Sequence, residues 1–138
     1  MSSAPEDTVS PAAPQDAGPT QAPQRARVLD RTALAPSASA YELEGDAYGA
    51  IGASVIVVDA PPGSGPKLHT HPYAEIFVLL EGQATFTAGE DVIEARGGQI
   101  VVVPAGMPHM FVNSGTGPLR QVDIHPSGHV ITTWLEER

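Results

Sequence analysis

His69, His71 and Glu75 lie close together and share odd parity. On an extended backbone alternate side chains leave the same face. A strand here, with a kink allowed for at Pro72, presents two imidazoles and a carboxylate on one side. Phe77 and Leu79 continue that side with apolar groups, so polar groups near one end of a barrel would stand above a hydrophobic floor. His109 is followed at the same parity by Phe111 and Asn113, and a second strand can bring its imidazole to the same interior. Three neutral imidazoles and one carboxylate suit one divalent transition metal per chain: Mn, Fe, Co, Ni, Cu or Zn. Such a set leaves one or two positions for water, O₂ or substrate, the open arrangement of a catalytic ion rather than a closed structural one. The centre keeps net positive charge and favours an anionic oxygen such as an enolate, a carboxylate or a deprotonated hydroxyl.

The chain that must position these groups has 138 residues, room for one core and no second. Its formal charge of -9 argues against nucleic acid or an anionic membrane as the main partner. The absence of cysteine removes disulfides, thiolate zinc sites, Fe–S clusters and a Cys nucleophile. It fits a cytoplasmic protein. The start shows no basic and apolar leader, and no apolar run is long enough to span a bilayer.

Residues 1–27 read as a disordered tail rich in Pro, Ala and Ser, without hydrophobic period. Residues 28–138 read as one all-β domain. Short apolar or alternating runs are separated by Gly, Pro and Asp turn signals, which is the antiparallel pattern. Strands are expected over 53–59, 75–80, 83–87, 91–96, 99–103, 110–113 and 119–125, with a hairpin turn at Ala88-Gly89-Glu90-Asp91. The end, 130–135, is ambiguous between strand and short helix.

The spacing Gly63-x5-His69-x-His71-x3-Glu75-x6-Gly82 resembles the first signature motif of the cupin superfamily. Gly98-x5-Pro104-x-Gly106-x2-His109-x3-Asn113 resembles the second, and every fixed position agrees. The resemblance implies a small single-domain cupin: a double-stranded β-helix, or jelly-roll, barrel with His69, His71, Glu75 and His109 as metal ligands. Gly82 and Gly98 are expected at strand ends where positive φ is needed. The rigid turn Pro104-Ala105-Gly106-Met107-Pro108 would aim His109 inward, and Asn113 could hydrogen-bond across the mouth.

Other residues are read against the barrel. In 119–125, Gln121, Asp123 and His125 alternate with the apolar Val122 and Ile124, which favour the core side and would turn the polar set outward. Turned inward, Asp123 or His125 is an acid–base group or a partner to the ligands. His129 reads as a loop residue. Tyr73 shares the ligands' parity, but Pro72 leaves its direction open; Tyr41 and Tyr48 default to surface or core packing. Phe77, Phe86, Phe111 and Met107 read as pocket wall and core. Ile76, Val78 and Leu80 make the second face of the Glu75 strand apolar too, which calls for a covering layer, either the N-terminal strand or a second subunit. Cupins of this size are commonly dimers, so a homodimer is expected.

The first functional expectation is a metal-dependent enzyme on a small organic substrate, in its most concrete form similar to quercetin-type dioxygenases, with Glu75 doubling as ligand and base. An isomerase, cyclase or lyase using the ion as Lewis acid comes next. The alternative is a binding module that holds a small ligand without turnover. The chain carries no helix-turn-helix segment of a fused sugar-sensing regulator. A seed-storage-like structural role has no need of three inward histidines.

Overall fold

The computed structural model describes residues 25–37 and 39–136. Most of the expected tail, residues 1–24, lies outside the described residues. Among the described residues the regular secondary structure is almost all strand. After a 3-10 turn over Arg31–Ala33 come β1 (Ala35–Ser37) and β2 (Ala40–Leu43), a second 3-10 turn over Gly45–Tyr48, then β3 (Ser54–Ala60), β4 (His69–Thr70) and β5 (Glu75–Glu81). There follow β6 (Gln83–Ala88), β7 (Asp91–Arg96), β8 (Ile100–Val103), β9 (His109–Asn113), β10 (Leu119–His125) and β11 (Thr133–Trp134).

These strands form two antiparallel sheets, ordered β1-β2-β3-β10-β5-β8 and β11-β4-β9-β6-β7. Non-consecutive neighbours such as β3 and β10, or β4 and β9, wind the two sheets together as a jelly roll. The inner faces supply one core. Val58, Ala60, Phe77, Leu79, Val101, Val103 and Leu119 come from the first sheet, and Ala84, Phe86, Ala88, Ala95 and Phe111 from the second. Phe77 meets Phe86 edge-on at 4.9 Å between ring centres, and Phe86 meets Phe111 at 5.4 Å. Each such aromatic pair adds about 0.5–1.5 kcal/mol beyond its area burial. This cluster is the hydrophobic floor expected beneath the histidines.

The turns follow their residues. Gly82 joins β5 to β6 at φ 94°, and a Cβ there would lie 2.4 Å from the carbonyl oxygen of Pro118. Both conditions exclude a side chain. Asn113 does not reach across the mouth. It sits at the opposite end of β9 from His109, where its amide donates to the carbonyls of Ala60 and Gly117 at 2.9 Å each and its oxygen accepts from Gly115 N–H. It ties the 113–118 turn to the end of β3, because an Asn followed by Ser-Gly-Thr-Gly-Pro closes its own turn.

β1 and β2 were not apparent from sequence, being three or four residues long. They extend the first sheet beyond β3, away from β5, so they do not cover Ile76, Val78 and Leu80. Among the described residues, no helix is long and apolar enough to cross a membrane.

Candidate metal centre

His69 and His109 are direct cross-strand partners on β4 and β9, which brings their rings to 4.3 Å. His71 follows β4, and its ring lies 4.8 Å from that of His69. Glu75 opens β5. All four side chains are buried, and one ligand atom from each lies within 4.8 Å of all the others.

The three imidazoles are held alike. Nδ1–H of His69 donates to the carbonyl of Lys67 at 2.6 Å, that of His71 to Ile131 at 2.7 Å, and that of His109 to Met107 at 2.9 Å. A carbonyl can only accept, so Nδ1 carries a proton, and in the neutral ring Nε2 is the bare lone pair. Glu75 Oε1 stands 3.1 Å from Nε2 of both His71 and His109. With neutral rings, two lone pairs face a carboxylate oxygen, an arrangement that repels unless a proton or a cation lies among them. Atoms bound to one ion at about 2.0–2.2 Å lie about 3 Å or more apart. The buried three-histidine, one-glutamate cluster fits one divalent metal ion in spacing, tautomer and donor chemistry.

Electrostatics agree. Burial pushes the His69 imidazole down to about 4, keeping it neutral at pH 7. Burial also opposes charge on His71, but Glu75 and the Ile131 carbonyl outweigh it and hold the group above its ordinary value. For Glu75, burial alone would favour the neutral acid; contacts with His109, His125 and His71 outweigh it and keep the carboxyl well below the usual range. Among the described residues, the ion-pair partners of this carboxylate are imidazoles.

The structure overturns the outward reading of β10. Gln121, Asp123 and His125 are buried at 1–3 % exposure, and Val122 and Ile124 face the other way, half-buried. The reason is position: β10 is a central strand between β3 and β5, and the outer face of this sheet is itself apolar. Gln121 Nε2 donates to Asp123 Oδ1 at 2.9 Å. Burial, together with the Glu75 charge, raises the Asp123 carboxyl well above its ordinary range, against the Gln121 hydrogen bond. His125 Nε2 lies 3.0 Å from Glu75 Oε2, on the carboxylate oxygen away from the other contacts. Its Nδ1 is 2.7 Å from the Tyr73 hydroxyl, whose oxygen accepts from Ile131 N–H at 3.0 Å. Tyr73 stacks on His71, rings 2° from parallel. The direction that Pro72 left open is therefore inward, along the rim of the ligand set.

Among the described residues, Nε2 of His71, Nε2 of His125 and Oε1 of Gln121 are buried side-chain atoms without a hydrogen-bond partner. The short contacts of the two imidazoles with Glu75 are close in distance but misaligned for N–H···O bonds. For His71, a nitrogen turned toward an ion leaves this pattern. His129 is exposed and pairs with Asp46 at 3.2 Å. Phe77 and Phe111 line the floor, and Met107 packs against its edge. A separate hollow of about 270 Å³ lined by Pro36, Ser39, Ala40, Tyr41 and Asp59 carries none of these groups.

Residues 56–125 match the family model for the cupin domain. This chain belongs to the cupin family. Another relative is an uncharacterized protein of Methanocaldococcus jannaschii, 30% identical over 92 residues, or 64% of this chain and 74% of that one. A mutant of Bacillus subtilis oxalate decarboxylase superposes with a TM-score of 0.64 at 23% identity, over 70% of this cupin and 27% of that chain. A structure concerned with the Mn(II) centres of the same enzyme gives 0.66 at 22% identity, over 74% and 29%. At that identity the likeness shows the shared fold, and the cupin spans less than a third of the decarboxylase chains.

The anchors of the imidazoles went unseen in the sequence. Lys67, Met107 and Ile131 act through backbone carbonyls, which every residue type carries. Trp134, whose ring lies 5.0 Å from that of His69, also gave no signal, since nothing in its neighbourhood alternates.

Proposed function

We propose that this cupin is a metal-dependent enzyme acting on a small organic substrate that reaches the ion through an anionic oxygen. The observation that carries the reading is the pairing of His125, backed by Tyr73, with the Glu75 carboxylate. A barrel that only held an ion would need the ligand set alone. This one also places a buried imidazole against the carboxylate and a phenol behind that imidazole, an arrangement suited to acid–base chemistry.

When bound, the ion supplies Lewis acidity and an open position for an oxyanion. His69, His71 and His109 offer Nε2, and Glu75 offers Oε1. Oε2 of Glu75 and Nε2 of His125 can then hold or pass a proton beside the bound substrate. The Tyr73 phenol, kept protonated by burial in spite of the Ile131 hydrogen bond and by the nearby Glu75, Glu42 and Glu44 charges, orients His125. Asp123, whose carboxyl burial and the Glu75 charge push upward, lies beneath them. The floor of Phe77 and Phe111 excludes water and favours a substrate with an apolar body.

The reaction we favour is oxygenase-like, with O₂ as co-substrate. A lyase or isomerase reaction is the second form, and the fold shared with oxalate decarboxylase favours decarboxylation of a small acid within it. Binding without turnover is the alternative. The test is metal-loaded protein offered flavonols, diketones, hydroxy acids and small dicarboxylates, with O₂ uptake and CO₂ release followed together. O₂ uptake supports the first form and CO₂ release without O₂ uptake the second. Ligand-dependent spectral change without either supports the binder.

We also propose a homodimer. Ile76, Leu80, Ile100 and Val102 form one exposed apolar stripe across β5 and the edge strand β8, with Leu80, Ile100 and Val102 each more than 60% exposed. The stripe is continuous with the outer face of β10, and a second copy would cover it.

A further inference from the structure

Two of the three imidazoles are oriented by their own loops. His69 donates to Lys67 and His109 to Met107, each two residues earlier. His71 is held from 60 residues away, by the carbonyl of Ile131. The same residue's N–H holds the Tyr73 hydroxyl. Next to it, Trp134 is the cross-strand partner of His69 and lies against its ring. Residues 130–135 therefore cross the mouth of the barrel and touch two of the proposed ligands and the phenol beside them.

We propose that residues 130–135 form a strap that gates the centre, so that the ion and a small ligand enter and leave only when the strap lifts. The inference rests on the metal-site reading above. Three observations carry it. First, the site beneath is closed: His69, His71, Glu75 and His109 are all buried, and exchange needs some element to move. Second, the strap is lightly held. Its strand is two residues long and pairs on one side only, with β4. It is also tied by Val130 N–H to Glu44 Oε2 at 2.8 Å, by Thr132 Oγ1 to His71 Nδ1 at 3.4 Å and by Leu135 N–H to Leu68 O at 3.0 Å. β10, by contrast, is seven residues long and paired on both sides. Segments with few buried contacts and exposed hydrogen bonds open at a small fraction of the global unfolding free energy. Third, Ile131, Trp134 and Leu135 are partly exposed and stand outside the hydrophobic core cluster, so lifting the strap leaves that cluster intact. Lifting it would release His71 and Tyr73 in one motion and open the path to Glu75.

The test uses the full chain and Co(II) as probe. Thr70 and Thr133 are cross-strand partners, and paired residues of antiparallel strands have Cα atoms about 4.5–5.5 Å apart, within the span of a disulfide. Thr70 lies between His69 and His71 and so points away from the ion. The natural chain has no cysteine, so T70C/T133C offers a single disulfide that locks the strap. Co(II) uptake, and release to excess EDTA, are followed by visible absorption. Oxidation should slow both rates by at least about tenfold, since gating acts on entry and exit alike, and reductant should restore both. Affinity should change by less than about threefold, as both rates move together. W134A, which loosens the strap without a crosslink, should speed both. Equal rates in the oxidised and reduced forms would overturn the gate. So would a change in release alone, which marks mere support of a ligand. A wild-type chain that takes up neither Co(II) nor manganese, iron, nickel, copper or zinc would instead sink the metal reading itself, and the gate with it.

Discussion

His125 Nε2 stands 3.0 Å from the Oε2 oxygen of Glu75, while Oε1 of the same carboxylate faces His71 and His109. On the proposed function, one oxygen of this carboxylate serves the ion and the other serves proton transfer. Replacing His125 should separate the two roles. H125Q should keep one ion per chain yet lose about 10²- to 10⁴-fold in kcat, the usual contribution of a positioned acid or base. Y73F should lose less, because it removes only the group that orients the imidazole. Full activity in H125Q would remove His125 from the chemistry.

His109→Ala should empty the site without unfolding the barrel. The loss in metal affinity should exceed the about 10–100-fold that removal of an outer partner costs. Metal content by plasma emission should fall sharply, and the β-type circular dichroism should remain. Unchanged stoichiometric metal in this variant would strike His109 from the ligand set.

Metal binding should release a proton at neutral pH. His71 lies above its ordinary value through its contacts with Glu75 and Ile131, which outweigh burial, and an imidazole must be neutral to bind. Apparent Co(II) affinity should therefore rise with pH through the neutral range. Calorimetry in buffers of different ionisation enthalpy should show proton release. His69, already pushed down to about 4 by burial, should contribute none of it.

Without metal, His69 and Asp123 should shape stability in opposite directions. The folded His69 value lies below its unfolded 6.5, so between about 4 and 6.5 only the unfolded chain takes the proton, and stability falls as pH falls. The folded Asp123 value lies above its unfolded 3.8. Its stabilising proton is present below 3.8 and is lost from stability as pH climbs to the folded value. D123N should therefore melt higher than wild type at pH 8, with the gap shrinking toward pH 4. Parallel melting curves at both pH values would contradict a buried, proton-holding Asp123.

Light scattering at micromolar concentration should give twice the 14.3 kDa protomer. Ile100→Lys or Val102→Glu, on the exposed stripe of β8, should return the mass to one protomer while leaving metal content unchanged. A wild-type mass of one protomer would remove the dimer.

The candidate site was legible in the chain for a simple reason. Parity puts His69, His71 and Glu75 on one side, and the motif spacing adds His109 from a distant stretch. The hairpin at Gly89 and the seven-residue strand from Leu119 to His125 were equally plain. The side of β10 was misread because Val122 and Ile124 look like core residues, whereas both faces of this central strand are covered or apolar. The two-residue strands β4 and β11 have no room for an alternating pattern. The Ile131 peptide that holds His71 and Tyr73 acts through backbone groups that no residue type announces.

The central claim is that side chains from β4, β5 and β9 and from the loop after β4 converge on one ion. Its most direct test is elemental analysis of the full chain after separate exposure to manganese, iron, cobalt, nickel, copper or zinc and removal of free metal. One of these should remain at about one ion per chain, as a single buried ligand set requires. A protein that stays empty with every one of them would contradict the account.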